Sequence, residues 1–361
     1  FFLGSGIWVA LSMIGVSAIG MMLFTSRPVG DAMATTIWGT SSSWTLTALP
    51  LFVWMGEILF RTKLSENLFK GLSPWMQKLP GGLIHVNVVG CALFAAISGS
   101  SAATVATVGK MSIPELRKRN YPEKILLGSL AGSGTLGLLI PPSIILIIYG
   151  VAVQESIAKL FIAGIIPGIM IALIFMSYVI IWSLINKKSM PKIIEEYSFF
   201  EKIKRSKQLL PVIILILAVI GSIYTGIATA TEAASLGVVG ALILSYFQKS
   251  LTLKTFKSSL LGATKTSCMI AFILAGSTFL SLAMGFTGLP RNLALWIQNM
   301  ELSPYVLIFV LMIFYIILGM FLDGISAVVL TMAIIEPMIR QAGFDMIWFG
   351  IFLVIVVEMA Q

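Results

Sequence analysis

The stretch AAISGSSAATVATVGK, Ala95 to Lys110, sets three serines, two threonines and two glycines side by side in a chain built mostly of Leu, Ile, Val, Phe and Met. The apolar runs on either side, 82–97 and 102–116, are each about 15 residues long. As helix, that reaches about 22 Å, short of a hydrocarbon core of about 30 Å. Basic residues stand at both outer ends, Lys78 before and Lys110 to Arg119 after. The segment is therefore predicted to enter and leave through one face, as a re-entrant hairpin with SGSS at its tip.

The rest of the chain supplies the membrane that this reading needs. With 58% hydrophobic and 11% charged residues and a mean hydropathy of +1.00, it lies far from a soluble composition. Apolar runs of about 20 residues alternate with short polar stretches, and they are continuously apolar, without the period-two pattern of a barrel strand. The expected fold class is an all-α polytopic membrane protein. The net charge of +9 follows topology and does not mark a nucleic-acid surface. All but four of the 24 Lys and Arg residues fall in four segments: Arg61 to Lys78, Lys110 to Lys124, Lys187 to Lys207 and Lys249 to Lys265. These are assigned to the cytoplasm by the positive-inside rule, and Arg27, Lys159, Arg291 and Arg340 are left for the other side.

A consistent path results. Crossings are expected at 2–24, 43–60, 123–150, 156–185, 209–227, 230–247, 266–285 and 344–360, with an amphipathic helix at 65–79 on the cytoplasmic face. A second hairpin is expected from Leu302 to Arg340, with LDGIS at its centre. At a constant offset of 225, Thr62 matches Thr287, Leu64 matches Leu289, Asn67 matches Asn292 and Leu68 matches Leu293. At the tips, Gly99 then falls on Gly324, Ser101 on Ser326, Ala102 on Ala327 and Ser98 on Asp323. The two repeats begin on opposite faces. Inverted repeats with broken helices define secondary transporters, whose site lies where the breaks meet. The same offset puts Gly132, which opens GSGTLGLLIPP, onto Val357, so a further C-terminal stretch with its own Pro-containing break and at least one more helix is expected.

A hairpin that stops inside the membrane leaves its last carbonyls and next amides without intrahelical partners, at several kcal/mol for each bare group. Ser98, Gly99, Ser100 and Ser101 answer that need with caps, close backbone approach and oxygens for a dehydrated cation. Tight helix packing is the plainer account of Ala102, Ala103 and Ala106. The Pro141–Pro142 pair and three glycines between Gly132 and Gly137 break the following helix or kink it. Asp323 costs about 2.5–3.5 kcal/mol to insert, so it caps the following helix, lines an ion site, or both. Glu232, after TGIATAT, reads as a first-turn residue and not a proton carrier. Glu57, Glu336 and Glu358 stand within or beside apolar spans. His85 reads as a helix-start residue, and Cys91 and Cys268 as small core residues. No paired carboxylates, nucleophile with base, metal-ligand spacing or phosphate loop is present, which argues against an enzyme.

AAISGSSAATVATVGKMSIPEL, AGSGTLGLLIPPS, YTGIATATEAASLGVVGA and GMFLDGISAVVLTMAIIEPM resemble the large membrane (M) subunit of tripartite ATP-independent periplasmic (TRAP) transporters over nearly the whole chain. Ala230 stands where a proline commonly precedes the Thr-Glu pair. The resemblance implies an elevator-type secondary transporter with inverted repeats and two re-entrant helical hairpins. It implies import of an organic acid across the bacterial inner membrane, with sodium as the coupling ion and neither a cofactor nor a transition metal. Its partners would be a small (Q) membrane subunit and a periplasmic substrate-binding protein. Sialic-acid members are the most similar, C4-dicarboxylate members next. A divalent-anion or arsenite-type transporter working without a binding protein is the alternative, and an intramembrane enzyme a remote one.

Carried onto this sequence, the resemblance divides the chain into scaffold and transport parts. Residues 1–80 and 153–265 form scaffold helices with an amphipathic arm, and 266–301 scaffold and arm helices of the second repeat. Residues 81–152 form the first transport repeat, with hairpin 81–119 and broken helix 123–150. Residues 302–361 form the second, with hairpin 302–342. Sodium would be held by Ser98, Gly99, Ser100 and Ser101 with Gly134, Thr135 and Gly137, and by Asp323, Gly324 and Ser326. Substrate would meet Ser100, Ser101, Thr104, Pro141, Pro142 and Ser326.

Overall fold

The computed structural model describes residues 3–61, 64–191, 197–207, 209–290, 292 and 303–360. Thr62, Leu293 and Arg291 lie outside the described residues, so the repeat pairs Thr62/Thr287 and Leu68/Leu293 are seen on one side only. Among the described residues every regular element is helical. Hydrocarbon dictates this, because only a helix satisfies its own amides and carbonyls segment by segment.

In chain order the helices are α1 (Val9–Phe24), α2 (Val29–Ser41), α3 (Ala48–Phe60), α4 (Leu64–Met76), α5 (His85–Ser98), α6 (Ser101–Lys118), α7 (Glu123–Gly134), α8 (Leu136–Leu139) and α9 (Ile144–Ala152). They continue as α10 (Ile157–Ile185), α11 (Phe199–Ser206), α12 (Leu210–Tyr224), α13 (Ala230–Phe247), α14 (Leu253–Thr287), α15 (Pro304–Gly319), α16 (Gly324–Gln341) and α17 (Met346–Ala360). Among the described residues five unbent stretches are long and apolar enough to cross a bilayer: Glu123–Ala152, Ile157–Ile185, Ala230–Phe247, Leu253–Thr287 and Gly324–Gln341.

Both expected hairpins are helix–break–helix units. Helix α5 has 14 residues and α6 has 18, running past the apolar run at both ends and stopping among its basic residues. Helices α15 and α16 have 16 and 18. Two helices escape a hydropathy reading. Helix α2 is rich in Gly, Thr and Ser, and α11 is eight residues of mixed charge. Helix α14 begins at Leu253, well before the expected 266, because the exposed Lys254, Lys257 and Lys265 are good helix formers that extend it beyond its apolar part. Cys91 is buried as expected, whereas Cys268 is exposed on the outer face of α14 beside Met269.

By contact the chain forms two compact units, Phe1–Leu49 with Ile145–Leu160 and Lys265–Gln361, and Pro50–Ile144 with Phe161–Thr264. In the first unit, Met21, Phe279 and Ala283 form a core between α1 and α14. Gly276 lets α14 approach the Ala10 carbonyl, where a methyl would lie 2.9 Å from its oxygen. The Tyr149 hydroxyl donates to the Met346 carbonyl at 2.6 Å, and the Ser277 hydroxyl donates to Val329 O at 2.7 Å. Arg340, at the end of α16, donates to Val153 O at 3.0 Å and pairs with Glu336 and Glu155.

In the second unit, Phe52 meets Phe161 edge-on, and Trp54 meets Phe256 while donating to Ser259 Oγ at 3.3 Å. Ile84, Ile125 and Val179 close the base of the first hairpin. There the fully buried His85 opens α5 as expected, its Nε2 lying 2.8 Å from Pro80 O. Asn87, also fully buried, donates to Leu126 O and Ser129 Oγ and so ties α5 to α7.

Candidate functional site

The first break is built by one glycine and two serines. Helix α5 ends at Ser98, and Gly99 takes a left-handed conformation (φ +58°) with its amide donating to Ala95 O at 3.1 Å. A residue with a Cβ disfavours that conformation, so glycine ends the helix there. Ser100 then turns extended and caps α6, its Oγ accepting weakly from the Ala103 amide at 3.5 Å. Ser98 Oγ lies 2.8 Å from Thr104 Oγ1, and both hydroxyls reach the Ser100 carbonyl, at 3.2 and 2.7 Å. Thr104 is fully buried and Ser98 nearly so. A polar cluster thus sits inside an otherwise apolar helix pair.

The broken helix comes to this tip. Helix α7 stops at Gly134, α8 is a single turn, and the chain is extended at Ile140 before α9 starts. The Ile144 amide faces Gly99 O at 3.4 Å. A methyl on Gly99 would lie 2.8 Å from Pro142 O, and one on Gly137 would lie 2.8 Å from the Ser100 carbonyl and 2.9 Å from Ser101 N. Gly134 packs on Val105 with no room for a side chain. Thr135 Oγ1 donates to Gly132 O at 2.8 Å, and the Ser143 hydroxyl donates to Leu138 O. Two interrupted segments therefore bring the peptide oxygens of Gly99, Ser100 and Pro142 to one place. Ser98, Gly99, Ser100, Ser101, Thr104, Gly134, Gly137 and Pro142 belong to this cluster, while the Thr135 hydroxyl is turned back on its own helix.

The second break uses a carboxylate. Helix α15 ends at Gly319, and Asp323 caps α16 with Oδ2 accepting from Ser326 N at 3.1 Å. Asp323 itself is exposed, whereas Ser326 is 2% exposed and Gly324 is buried. Below the cap, Tyr315 Oη and Thr331 Oγ1 are 2.6 Å apart, and Thr331 donates to Ala327 O. The repeat register aligned Ser98 with Asp323, but the caps are Ser100 and Asp323. Helix α16 starts two residues earlier in the repeat than α6, so Gly324 is a first helical residue where Gly99 is a left-handed stop.

Three of the other acids within or beside apolar spans have local partners. Glu57 pairs with Arg61 at 2.7 Å and Glu336 with Arg340 at 3.0 Å. Glu232 forms a capping box with Thr229: its Oε2 accepts from Thr229 N at 2.8 Å, and Thr229 Oγ1 accepts from Glu232 N at 3.3 Å. Gly56, not among the expected site residues, also reaches the first tip. A methyl there would lie 3.1 Å from Ile97 O and Ser98 Cα, so α3 runs against the first tip. An isolated glycine in the apolar run 48–60 was the available sign.

These features define a polytopic α-helical membrane protein with two capped, polar breaks. A family described as tripartite ATP-independent periplasmic transporter, DctM component, matches residues 1–361. The chain is 32% identical to the C4-dicarboxylate TRAP transporter large permease protein DctM of Pseudomonas aeruginosa, over 96% of this chain and 80% of that protein. It is 30% identical to the sialic acid TRAP transporter large permease protein SiaM of Vibrio cholerae, over 96% and 81%. It is 29% identical to the isethionate TRAP transporter permease protein DctMQ of Oleidesulfovibrio alaskensis, over 98% of this chain and 55% of that protein. The chain belongs to the DctM family of TRAP transporter large permeases, and so to multi-pass membrane transporters rather than enzymes.

Proposed function

We propose that this chain is the membrane permease of a sodium-coupled importer of an organic acid in the bacterial inner membrane. The observation that carries the proposal is the docking of the Gly99–Ser100 break on the Gly137 and Pro142 segment. Unwound peptide oxygens, gathered beside hydroxyls inside an apolar helix bundle, suit a dehydrated monovalent cation. In this reading Ser98, Gly99, Ser100 and Ser101 with Gly134, Thr135 and Gly137 hold one sodium ion. Asp323, Gly324 and Ser326 hold another. Substrate meets Ser100, Ser101, Thr104, Pro141, Pro142 and Ser326. Two sodium ions with one monoanion carry one net positive charge inward, which gains about 2.3 kcal/mol per 100 mV, so ATP is not required.

The two hairpins are re-entrant in this reading, and the segments bearing the breaks move as an elevator against the scaffold. Residues 82–98 are short for a crossing, whereas Gly324–Gln341 has the length for one, so the second hairpin's depth is a point for accessibility labelling. A small membrane subunit and a periplasmic binding protein complete the assembly, in line with the DctMQ name of one relative. Relatives named for C4-dicarboxylate and for sialic acid are similar to this chain to nearly the same degree. Sialic acid is the favoured cargo in this reading, from overall resemblance, with C4-dicarboxylate next.

The test is uptake into proteoliposomes holding this protein with its small subunit, under a sodium or a proton gradient, with and without binding protein, for both cargoes. Sodium-driven, binding-protein-dependent uptake that disappears in Ser98→Ala with Asp323→Ala supports the proposal. Uptake without a binding protein would instead favour the divalent-anion type, and intact sodium-driven uptake in the double variant would remove the ion sites.

A further inference from the structure

Helix α11 is eight residues long, FFEKIKRS, too short to persist by its own hydrogen bonds. It is nevertheless well fastened. Ser198 and Glu201 form a capping box, with Ser198 N donating to Glu201 Oε2 at 3.0 Å. Trp75 of α4 donates from Nε1 to Ser206 Oγ at 2.7 Å and meets the Phe199 ring edge-on at 6.2 Å. The Lys202 ammonium sits 5.4 Å over the Trp75 ring. Leu209, just past α11, fills the space beside Gly71 of α4. Such anchoring holds α11 turned 59° from the direction of α12, the apolar helix that follows it.

What this fixed helix displays is unlike a water-facing surface. Phe199 and Phe200 are 69% and 76% exposed, and Ile203 is exposed as well. At about 100° per residue, Phe199, Ile203 and Phe200 share one arc of roughly 100°, with Lys202 on one flank and Lys204 on the other. Arg205 turns away and stacks on Tyr197 at 4.2 Å. An apolar strip bordered by lysines, on a helix turned aside at the end of an apolar helix, matches the acyl–headgroup boundary of a bilayer. The rings meet acyl carbon, and the ammonium groups rise to phosphate.

We propose that α11, held on α4, is a docking surface for anionic phospholipid headgroups. The charge favours anionic over zwitterionic lipid, because each basic residue near such a surface is worth about fivefold in affinity. Through Trp75 and Ser206, lipid bound to α11 fixes the position of α4, the helix that leads into the first hairpin. This inference stands apart from the ion sites and does not depend on them.

The test is native mass spectrometry of the full chain in detergent, titrated with phosphatidylglycerol or phosphatidylethanolamine. Preferential phosphatidylglycerol binding is expected, about 25-fold weaker in Lys202→Gln with Lys204→Gln and unchanged in Lys249→Gln with Lys254→Gln. Should the first pair fail to fold, Lys204→Gln alone is expected to weaken binding about fivefold. Phe200→Ser is expected to weaken both lipids alike. Three results would overturn the proposal: unchanged binding in the Lys202/Lys204 pair, an equal loss in the Lys249/Lys254 pair, or displacement of the lipid by inorganic phosphate. So would concentration-dependent protection of a Phe200→Cys thiol in lipid-free detergent, which would mean that a second copy of the protein covers this face.

Discussion

Replacing Gly99 by alanine separates two effects that meet at the first break. The left-handed backbone at φ +58° costs a residue with a Cβ about 1–2 kcal/mol. The new methyl also lies 2.8 Å from Pro142 O and 3.1 Å from Ile144 N, and backbone atoms cannot swing aside as a flexible side chain can. Overpacking of that kind costs about 1–3 kcal/mol more, so the total is about 2–5 kcal/mol. Gly226 supplies the control: it has φ +72° and nothing within 4 Å of the added methyl, so Gly226→Ala meets the backbone term alone. Equilibrium unfolding of the detergent-purified variants measures both. Gly99→Ala is expected to be the more destabilised by about 1–3 kcal/mol, the packing term, and to need more sodium for half-maximal uptake. Equal losses in the two variants would refute the docking of the hairpin tip on the Pro142 segment.

Three further substitutions test other parts of the structure. Asp323→Asn keeps the N-cap and is expected to cost a few tenths of a kcal/mol in unfolding, whereas Asp323→Ala loses the cap and costs about 1 kcal/mol. If both abolish sodium-driven uptake equally, the carboxylate acts beyond capping; if Asp323→Asn transports normally, it is a cap only. Thr229→Ala removes one half of the capping box on α13 and is expected to cost about 1 kcal/mol while leaving the sodium and pH dependence of uptake unchanged; a shifted pH profile would give Glu232 a proton-carrying role. Arg340→Ala loses the hydrogen bond to Val153 O and two half-exposed ion pairs, for about 1 kcal/mol after solvent screening. Arg340→Lys should lose nearly as much, because an ammonium cannot reproduce the guanidinium's fork; full retention of stability in the lysine variant would show that charge alone matters.

The amino-acid order by itself determined the helical class, the position of both breaks and the place of Glu232 in the first turn of α13. These depend on short-range chemistry: sustained apolar runs, glycine and proline interruptions, and serine, threonine or acid residues placed before a helix. It also read His85 as a helix-start residue and Cys91 as a core residue, as the structure has them. Hydropathy passed over α2, which packs Val29, Ala32 and Met33 against the Met21 and Phe279 core, and α11, which rests on its capping box and on packing against Trp75 rather than on apolar content. Only the tertiary structure decided that Pro142 O and Ser100 O gather at the first tip, and that Gly56 brings α3 against it. Tertiary structure likewise revealed that Asp323 starts its helix two residues earlier than the repeat register implied, and that Cys268 faces outward. Close approaches between residues 40 or more positions apart are set by the volumes of the side chains between them, and no local pattern records those volumes.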